Sequence, residues 1–168
     1  MIKVGEHLPE ATLYEFFDVA EGACAIGPNA MPVADLVKDK KIVVFGLPGA
    51  FTPTCSAKHV PGYVEQFDAF KTGGVDEIWC VSVNDAFVMG AWARDQGTTG
   101  KVRMLGDGGA VFTRAVGLDQ DLTARGMGVR SQRYAMVVDD GTVSWIGVEE
   151  PGKFEVSAAE NVLKHLER

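Results

Sequence analysis

Cys55 has the sequence surroundings of a reactive thiol. It ends the segment Pro-Gly-Ala-Phe-Thr-Pro-Thr-Cys, residues 48–55, which closely follows the short apolar run Lys41–Gly46. That run is typical of a strand buried on both faces, and Thr52 followed by Pro53 is typical of a helix start. Cys55 would then lie in the first helical turn. Unpaired backbone N–H groups and the positive end of the helix dipole favour a thiolate there.

A thiolate at a helix start is not sufficient for fast redox chemistry. A thiol with the ordinary pKa of about 8.5 is roughly 3% ionised at pH 7, and lowering the pKa to ~6 gains only ~30-fold in thiolate. Further acceleration requires a positioned substrate and donors that stabilise charge on a departing oxygen. Thr52 is close enough in sequence to be such a donor, and Pro48 could shield the sulfur from water. A capped helix with an incidental cysteine remains the alternative interpretation of these residues alone.

The rest of the chain predicts alternating strands and helices. A helix is expected over residues 53–71 with a kink at Pro61, and residues 21–32 are expected to form a small-residue loop. The later predictions are strands at 76–83, 102–105, 133–139 and 142–148, the last two joined by Asp140-Gly141, and helices at 85–96, 110–116 and 157–166. This order predicts one α/β domain over residues 1–168, with a mixed central sheet flanked by helices. A thioredoxin-like fold fits the order, as do other α/β folds.

The composition argues against several classes of function. Sixteen basic and 23 acidic residues give a net charge of −7, which repels nucleic acids and anionic membranes. No apolar run is long enough to span a bilayer and the N-terminus lacks a signal-peptide pattern, so a cytosolic location is expected. The cysteine and histidine spacing is not that of a zinc site, so no metal is expected. Gly106-x-Gly108-Gly109 lacks the full dinucleotide spacing, so neither flavin nor nicotinamide is expected.

Four blocks of sequence resemble one known family. Residues 48–55 match the P-x-x-x-T-x-x-C active-site signature of the peroxiredoxins. The wider blocks are similar to the peroxiredoxin-5 branch, also called type II or atypical: FGLPGAFTPTCSAKHVPGYVEQF (45–67), CVSVNDAFVMGAW (80–92), GKVRMLGD (100–107) and SQRYAMVVDDGTV (131–143). The likeness extends from about Ile2 to Leu166. It implies a thioredoxin-like fold, a homodimer, and a thiol-specific peroxidase that reduces hydrogen peroxide and organic hydroperoxides.

The resemblance also implies roles for individual residues. Cys55 matches the peroxidatic cysteine, which peroxide oxidises to a sulfenic acid. Thr52 matches the hydroxyl that hydrogen-bonds the thiolate and the peroxide, and Pro48 the proline that shields the pocket. Arg133 matches the arginine that lowers the thiol pKa and holds the peroxide oxygens. Arg94 resembles a second arginine found near the active site at the family's dimer interface.

The thiol that reduces the sulfenic acid is less clearly marked. Cys80 resembles the resolving cysteine of plant type II members by its spacing from Cys55, but its apolar surroundings predict a buried core residue. Val156 stands where mammalian members have their resolving cysteine, and Cys24 is expected to be incidental. We therefore expect an external thiol, glutathione with glutaredoxin, and no bound cofactor. The alternative is a Cys55–Cys80 disulfide reduced by thioredoxin.

Other readings of the same residues remain open. His59, one helical turn after Cys55, could form a nucleophile pair as in cysteine hydrolases. It lacks the further signature of such a site, so we predict a packing or hydrogen-bonding histidine. A redox sensor or relay would use the same cysteine. A thiol–disulfide oxidoreductase is disfavoured because Thr52 stands where that chemistry needs a second cysteine.

Overall fold

A mixed sheet runs through the centre of the protein. The computed structural model describes residues 1–17 and 27–166, and within these residues seven strands hydrogen-bond in the order β2-β1-β5-β4-β3-β8-β9. The strands are β1 Thr12–Glu15, β2 Asn29–Pro32, β3 Lys41–Gly46, β4 Glu77–Ser82, β5 Arg103–Gly106, β8 Tyr134–Asp139 and β9 Thr142–Val148. β3, β4 and β5 run parallel, while β1 and β8 flank them in antiparallel pairs. The predicted mixed sheet is confirmed.

Helices cover both faces of the sheet. They are α1 Val33–Leu36, α2 Val60–Glu65, α3 Phe67–Thr72, α4 Ala86–Gln96, α5 Val111–Ala115 and α6 Ala159–Leu166. Apolar side chains of α2, α3, α4 and α6 pack into one core cluster, and those of α1 and α5 into a second. None of the helices in the described ranges is long and apolar enough to cross a membrane. The predicted α/β layers, flanked by helices, are therefore confirmed.

The helix predicted over residues 53–71 is present in that range, but it is not one continuous α-helix. Helical backbone begins at residue 53, passes through a π-helical turn over Cys55–His59, continues as α2 and breaks at Gln66 before α3. The π turn ends at His59, just ahead of Val60 and Pro61, and the missing N–H of Pro61 removes an ordinary helical hydrogen bond. The Val60 N–H instead bonds to the Cys55 carbonyl, five residues back. The expected kink at Pro61 takes the form of this wide turn.

Two regions depart further from the predictions. The loop expected over residues 21–32 is wrong for its last four residues, which form β2 against β1. Residues 18–26, which include Cys24, lie outside the described residues. Beyond the main sheet, β6 Asp119–Asp121 and β7 Val129–Ser131 form a small antiparallel pair that the sequence did not predict. Short polar strands such as these carry no alternating apolar pattern.

Candidate active site

The turn between β3 and the helix is held by side chains from two other elements. The Asn84 side chain, in the loop after β4, accepts a hydrogen bond from the Ala50 N–H at 3.0 Å. Arg130, on β7, donates to the Pro48 carbonyl at 3.2 Å. These contacts fix Pro48 beside the start of the helix. Neither Asn84 nor Arg130 was singled out from the sequence, because their contacts join segments far apart along the chain.

Thr52 precedes the first turn of the helix, but its hydroxyl does not donate a hydrogen bond to the Cys55 sulfur. The Ser56 N–H donates to the Thr52 carbonyl at 3.0 Å, as expected for a helix that starts after this residue. The hydroxyl donates to the Gly49 carbonyl at 2.7 Å. A hydroxyl has one proton and two lone pairs, so the Thr52 oxygen remains an acceptor for an incoming O–H group. The expected hydrogen bond from Thr52 to the Cys55 sulfur is not formed in this arrangement.

Arg133 reaches Cys55 because of the register between two strands. β3 pairs antiparallel with β8, and Gly46, the last residue of β3, lies opposite Tyr134, the first of β8. Arg133 therefore stands at the sheet edge where the chain leaves β3 for the helix. Its Nη2 donates to the Cys55 sulfur at 3.3 Å. This contact places a full positive charge beside the sulfur.

His59 holds the other arm of the same guanidinium. Its Nδ1 lies 2.8 Å from the Arg133 Nη1, and its Nε2 lies 3.2 Å from the Ser157 carbonyl oxygen. Arginine only donates and a carbonyl only accepts, so Nδ1 must be the lone-pair nitrogen and Nε2 must carry the proton. His59 is fully buried, and burial together with the nearby Arg133 lowers its pKa from 6.5 to about 3. The predicted hydrogen-bonding histidine is therefore a neutral acceptor for Arg133.

The depressed pKa of His59 predicts a specific loss of stability in mild acid. Between pH 6.5 and about 3 the unfolded chain protonates this histidine and the folded chain does not, so stability falls as the pH falls. From pH 7.5 to pH 5 this linkage amounts to about 2 kcal/mol of unfolding free energy. His59→Asn, which does not titrate, should lose about that much less over the same interval. Urea unfolding at both pH values measures the difference.

A matched histidine controls for the other titrating groups. His7→Asn removes an exposed imidazole and is measured in the same way. An identical pH dependence in His59→Asn and the wild type would contradict a buried neutral His59.

Cys80 lies in the centre of the sheet. It is fully buried in β4, opposite Phe45 of β3 and Met104 of β5. Its side chain belongs to the same apolar cluster as Cys55, and among the described cysteines both are free thiols. Burial first, and Cys55 second, raise the pKa of Cys80 well above its ordinary value. A thiol in this environment is a poor nucleophile.

Arg94 lies on α4, the helix that follows β4. It is exposed on α4, and its guanidinium carbon lies 5.6 Å from the centre of the Phe16 ring. α4 is tied to the first turn of the active-site helix, because the Trp92 Nε1 donates to the Ser56 hydroxyl at 3.0 Å. The role at a dimer interface that the resemblance implies for Arg94 stays a prediction.

Access to the sulfur requires a local movement. Cys55 has no exposed surface in the described arrangement. Two surface pockets near the N-terminus are lined by other residues, among them His7 and Gly141 in one and Ile2 and Arg114 in the other. A peroxide must therefore displace a neighbour of Cys55, and a bulkier thiol must wait for the helical turn to open.

Comparison with known proteins places this chain in a family. The chain matches the family model described as Redoxin over residues 3–163. It is 48% identical to Peroxiredoxin-2E-2, chloroplastic, of Oryza sativa subsp. japonica, over 98% of this chain and 72% of that protein. The structure of reduced Prx3 from Vibrio vulnificus in complex with H₂O₂ is 48% identical, with a TM-score of 0.91 over 99% of each chain. This chain belongs to the peroxiredoxins. Its branch is that of peroxiredoxin-5 and the type II proteins, as its sequence blocks predicted.

The family assignment fixes the general activity. Peroxiredoxins are thiol peroxidases that need no prosthetic group, so the chain is a peroxidase enzyme. A structure from Burkholderia cenocepacia with the provisional name of a thioredoxin reductase is 65% identical, with a TM-score of 0.95 over 98% of this chain and 97% of that one. That relative shares the fold of this peroxiredoxin.

Proposed function

We propose that Cys55 is the peroxidatic thiol of this enzyme. The observation that carries the proposal is the 3.3 Å hydrogen bond from the Arg133 Nη2 to the Cys55 sulfur. The thiolate attacks one peroxide oxygen, an S–O bond forms and the O–O bond breaks. The departing oxygen takes a proton and leaves as an alcohol, or as water from hydrogen peroxide. Cys55 remains as the sulfenic acid.

The neighbouring residues give this reaction its geometry. Arg133 has donors beside the sulfur and can stabilise charge on the peroxide oxygens as the bond breaks. The Thr52 oxygen, whose proton is already used on the Gly49 carbonyl, can accept the peroxide O–H. Pro48, fixed through its carbonyl by Arg130, limits access of water to one side.

An external thiol is the reductant we favour, namely glutathione working with glutaredoxin. One glutathione condenses with the sulfenic acid to give a mixed disulfide and water. A second thiol then attacks this mixed disulfide, releases Cys55 as the free thiol and forms a new disulfide with the glutathione. The burial of Cys80 and its raised pKa support this route over an internal disulfide. The alternative, a Cys55–Cys80 disulfide reduced by thioredoxin, is supported by the position of both cysteines in one core cluster.

Mass spectrometry after one equivalent of hydrogen peroxide tests the route. With glutathione present, the wild type should carry a single glutathione on the Cys55 peptide. Without it, the same peptide should carry sulfenic acid, trapped with dimedone. Cys80→Ser should give the same adducts and keep at least about half of the turnover with glutathione and glutaredoxin. An internal Cys55–Cys80 disulfide, with turnover lost in Cys80→Ser, would establish the alternative.

The same experiment bears on a relay function. Rapid oxidation of Cys55 combined with poor turnover by all small thiols and by thioredoxin would favour a sensor that passes oxidation to a partner protein. The cytosolic location stays a prediction.

The enzyme's assembly is a further proposal, a homodimer. Two aromatic side chains on or next to α4 are more than half exposed: Phe87, which belongs to α4, at 54% and Phe51 at 53%. Phe51 lies 6.3 Å from Trp92 between ring centres, so both exposed rings adjoin the same helix. A second copy covering α4 would bury them. Light scattering of the purified 18.0 kDa chain should give about twice that mass, and Phe51→Glu should shift it toward the monomer.

A further inference from the structure

The loop after β9 is organised by one buried carboxylate. Glu149 is 8% exposed, and its carboxylate accepts hydrogen bonds from the backbone N–H groups of Glu155 at 2.6 Å, Val156 at 3.2 Å and Ser157 at 3.1 Å. The Ser157 hydroxyl donates to it as well, at 2.7 Å. Burial alone would raise the pKa of Glu149, but these hydrogen bonds outweigh burial and lower it. The carboxylate is therefore charged at neutral pH and holds the loop around it.

This loop is connected to the active site at both of its ends. The Glu149 N–H donates to the Arg133 carbonyl at 2.9 Å. At the other end, the Ser157 carbonyl accepts from His59 Nε2 at 3.2 Å and from the Tyr63 hydroxyl at 2.7 Å. Since His59 accepts from Arg133, the contacts close a ring: Arg133 to His59, His59 to Ser157, Ser157 to Glu149, and Glu149 back to Arg133.

We propose that Glu149 is a positioning residue for the Arg133 guanidinium, acting through Ser157 and His59. The inference rests on the proposed role of Cys55 and adds a residue that does not touch the sulfur. It gives a role to the buried Glu149 carboxylate, which takes no part in the proposed reaction at Cys55.

A neutral histidine can hold an arginine only in one ring orientation and one tautomer. The Nδ1 of His59 has one in-plane lone pair, so it faces Arg133 only while the ring orientation and the Nε2 proton are fixed. The Ser157 carbonyl fixes both. The Glu149 carboxylate holds Ser157 in turn, by binding its N–H and its hydroxyl and the N–H groups of the two residues before it. The negative charge acts through a neutral histidine instead of pairing with the guanidinium. Arg133 is therefore oriented while its positive charge remains directed at the Cys55 sulfur.

The test is the pH profile of alkylation at Cys55 in Glu149→Gln. Iodoacetamide labelling is quantified on the Cys55 peptide by mass spectrometry, so that the other cysteines do not interfere. We expect the midpoint of the profile to move up by roughly 0.5–1 pH unit, because the thiolate loses part of its stabilisation. The kcat/KM for hydrogen peroxide should fall about tenfold, since small displacements of a catalytic group are costly.

The midpoint separates positioning from simple loosening of the loop. Loosening alone would make buried Cys55 label faster at every pH while leaving the midpoint in place, and that result would overturn the proposal. Glu150→Gln is the matched control, because Glu150 is exposed and its carboxylate forms an ion pair with Lys153. Its midpoint and kcat/KM should equal those of the wild type.

A double variant tests the route through His59. If Glu149 acts through Ser157 and His59, then Glu149→Gln should add no further midpoint shift in a His59→Leu background. A full additional shift there would overturn the route.

Should Glu149→Gln fail to fold, Ser157→Ala, which removes one of the four donors, should move the midpoint in the same direction by a smaller amount. No shift in that variant would overturn the proposal. Absence of any peroxide reaction in the wild type would refute the proposed function instead. The alkylation midpoint would still test whether Glu149 positions Arg133 through these contacts.

Discussion

Cys55→Ser is expected to lower hydroperoxide-dependent thiol oxidation by at least about 10³-fold. A serine oxygen in the same place cannot form a sulfenic acid, and its hydroxyl is not ionised near neutral pH. The replacement is nearly the same size, and the Arg133 Nη2, 3.3 Å from the present sulfur, can donate to the new oxygen. The fold should therefore survive. The measurement is consumption of hydrogen peroxide with glutathione and glutaredoxin, or with dithiothreitol if the natural reductant differs.

Cys80→Ser is the matched comparison for this variant. Both cysteines are fully buried in one core cluster, so the two substitutions place a hydroxyl in similar surroundings. Any general effect of a buried hydroxyl on folding should appear in both, whereas loss of chemistry should appear in Cys55→Ser alone. More than about a tenth of wild-type activity in Cys55→Ser would refute the assignment of the peroxidatic thiol.

The central strands could be predicted because their signal is local. The β-branched run of β3 and the similar run of β4 are buried almost throughout, as continuous apolar strands are in a sheet covered on both faces. The turn at Asp140-Gly141 was equally local: both residues have positive φ, 46° and 83°, and join β8 to β9 as predicted. Segments whose own residues determine their conformation were therefore predicted correctly.

The elements that were missed depend on distant partners. β2 consists of Asn29–Pro32, whose composition favours a loop, and it is a strand because β1 pairs with it across the edge of the sheet. The break at Gln66, between α2 and α3, was also not predicted. Periodicity cannot detect either effect.

The site itself divides in the same way. Helix-start chemistry identified Cys55 and Thr52 from neighbouring residues. Arg133 is 78 residues away, and only the family resemblance pointed to it; in the structure the β3–β8 register brings it to the sulfur. Glu149 and Ser157 had no signal at all, because their effect passes through a backbone carbonyl. Side-chain types in a sequence do not show where a carbonyl will point.

Arg133→Gln is expected to lower kcat/KM for hydrogen peroxide by about 10²–10³-fold, or roughly 3–4 kcal/mol of transition-state stabilisation. Glutamine can still donate to the sulfur or to His59, but it has no charge to stabilise the thiolate or the departing oxygen. Arg133→Lys keeps the charge but cannot bridge two acceptors with a rigid fork, so we expect an intermediate loss of at least about tenfold. Stopped-flow kinetics with hydrogen peroxide measures all three proteins.

The order of these variants distinguishes charge from geometry. If charge dominates, lysine should recover much of the rate that glutamine loses. If the two-armed contact to Cys55 at 3.3 Å and His59 at 2.8 Å dominates, lysine and glutamine should be similarly slow. Arg125→Gln, at an exposed arginine in the segment before β7, should behave as the wild type. A wild-type rate in Arg133→Gln would contradict both explanations, because a full positive charge hydrogen-bonded to the reacting sulfur cannot be removed without consequence if that sulfur reacts as a thiolate.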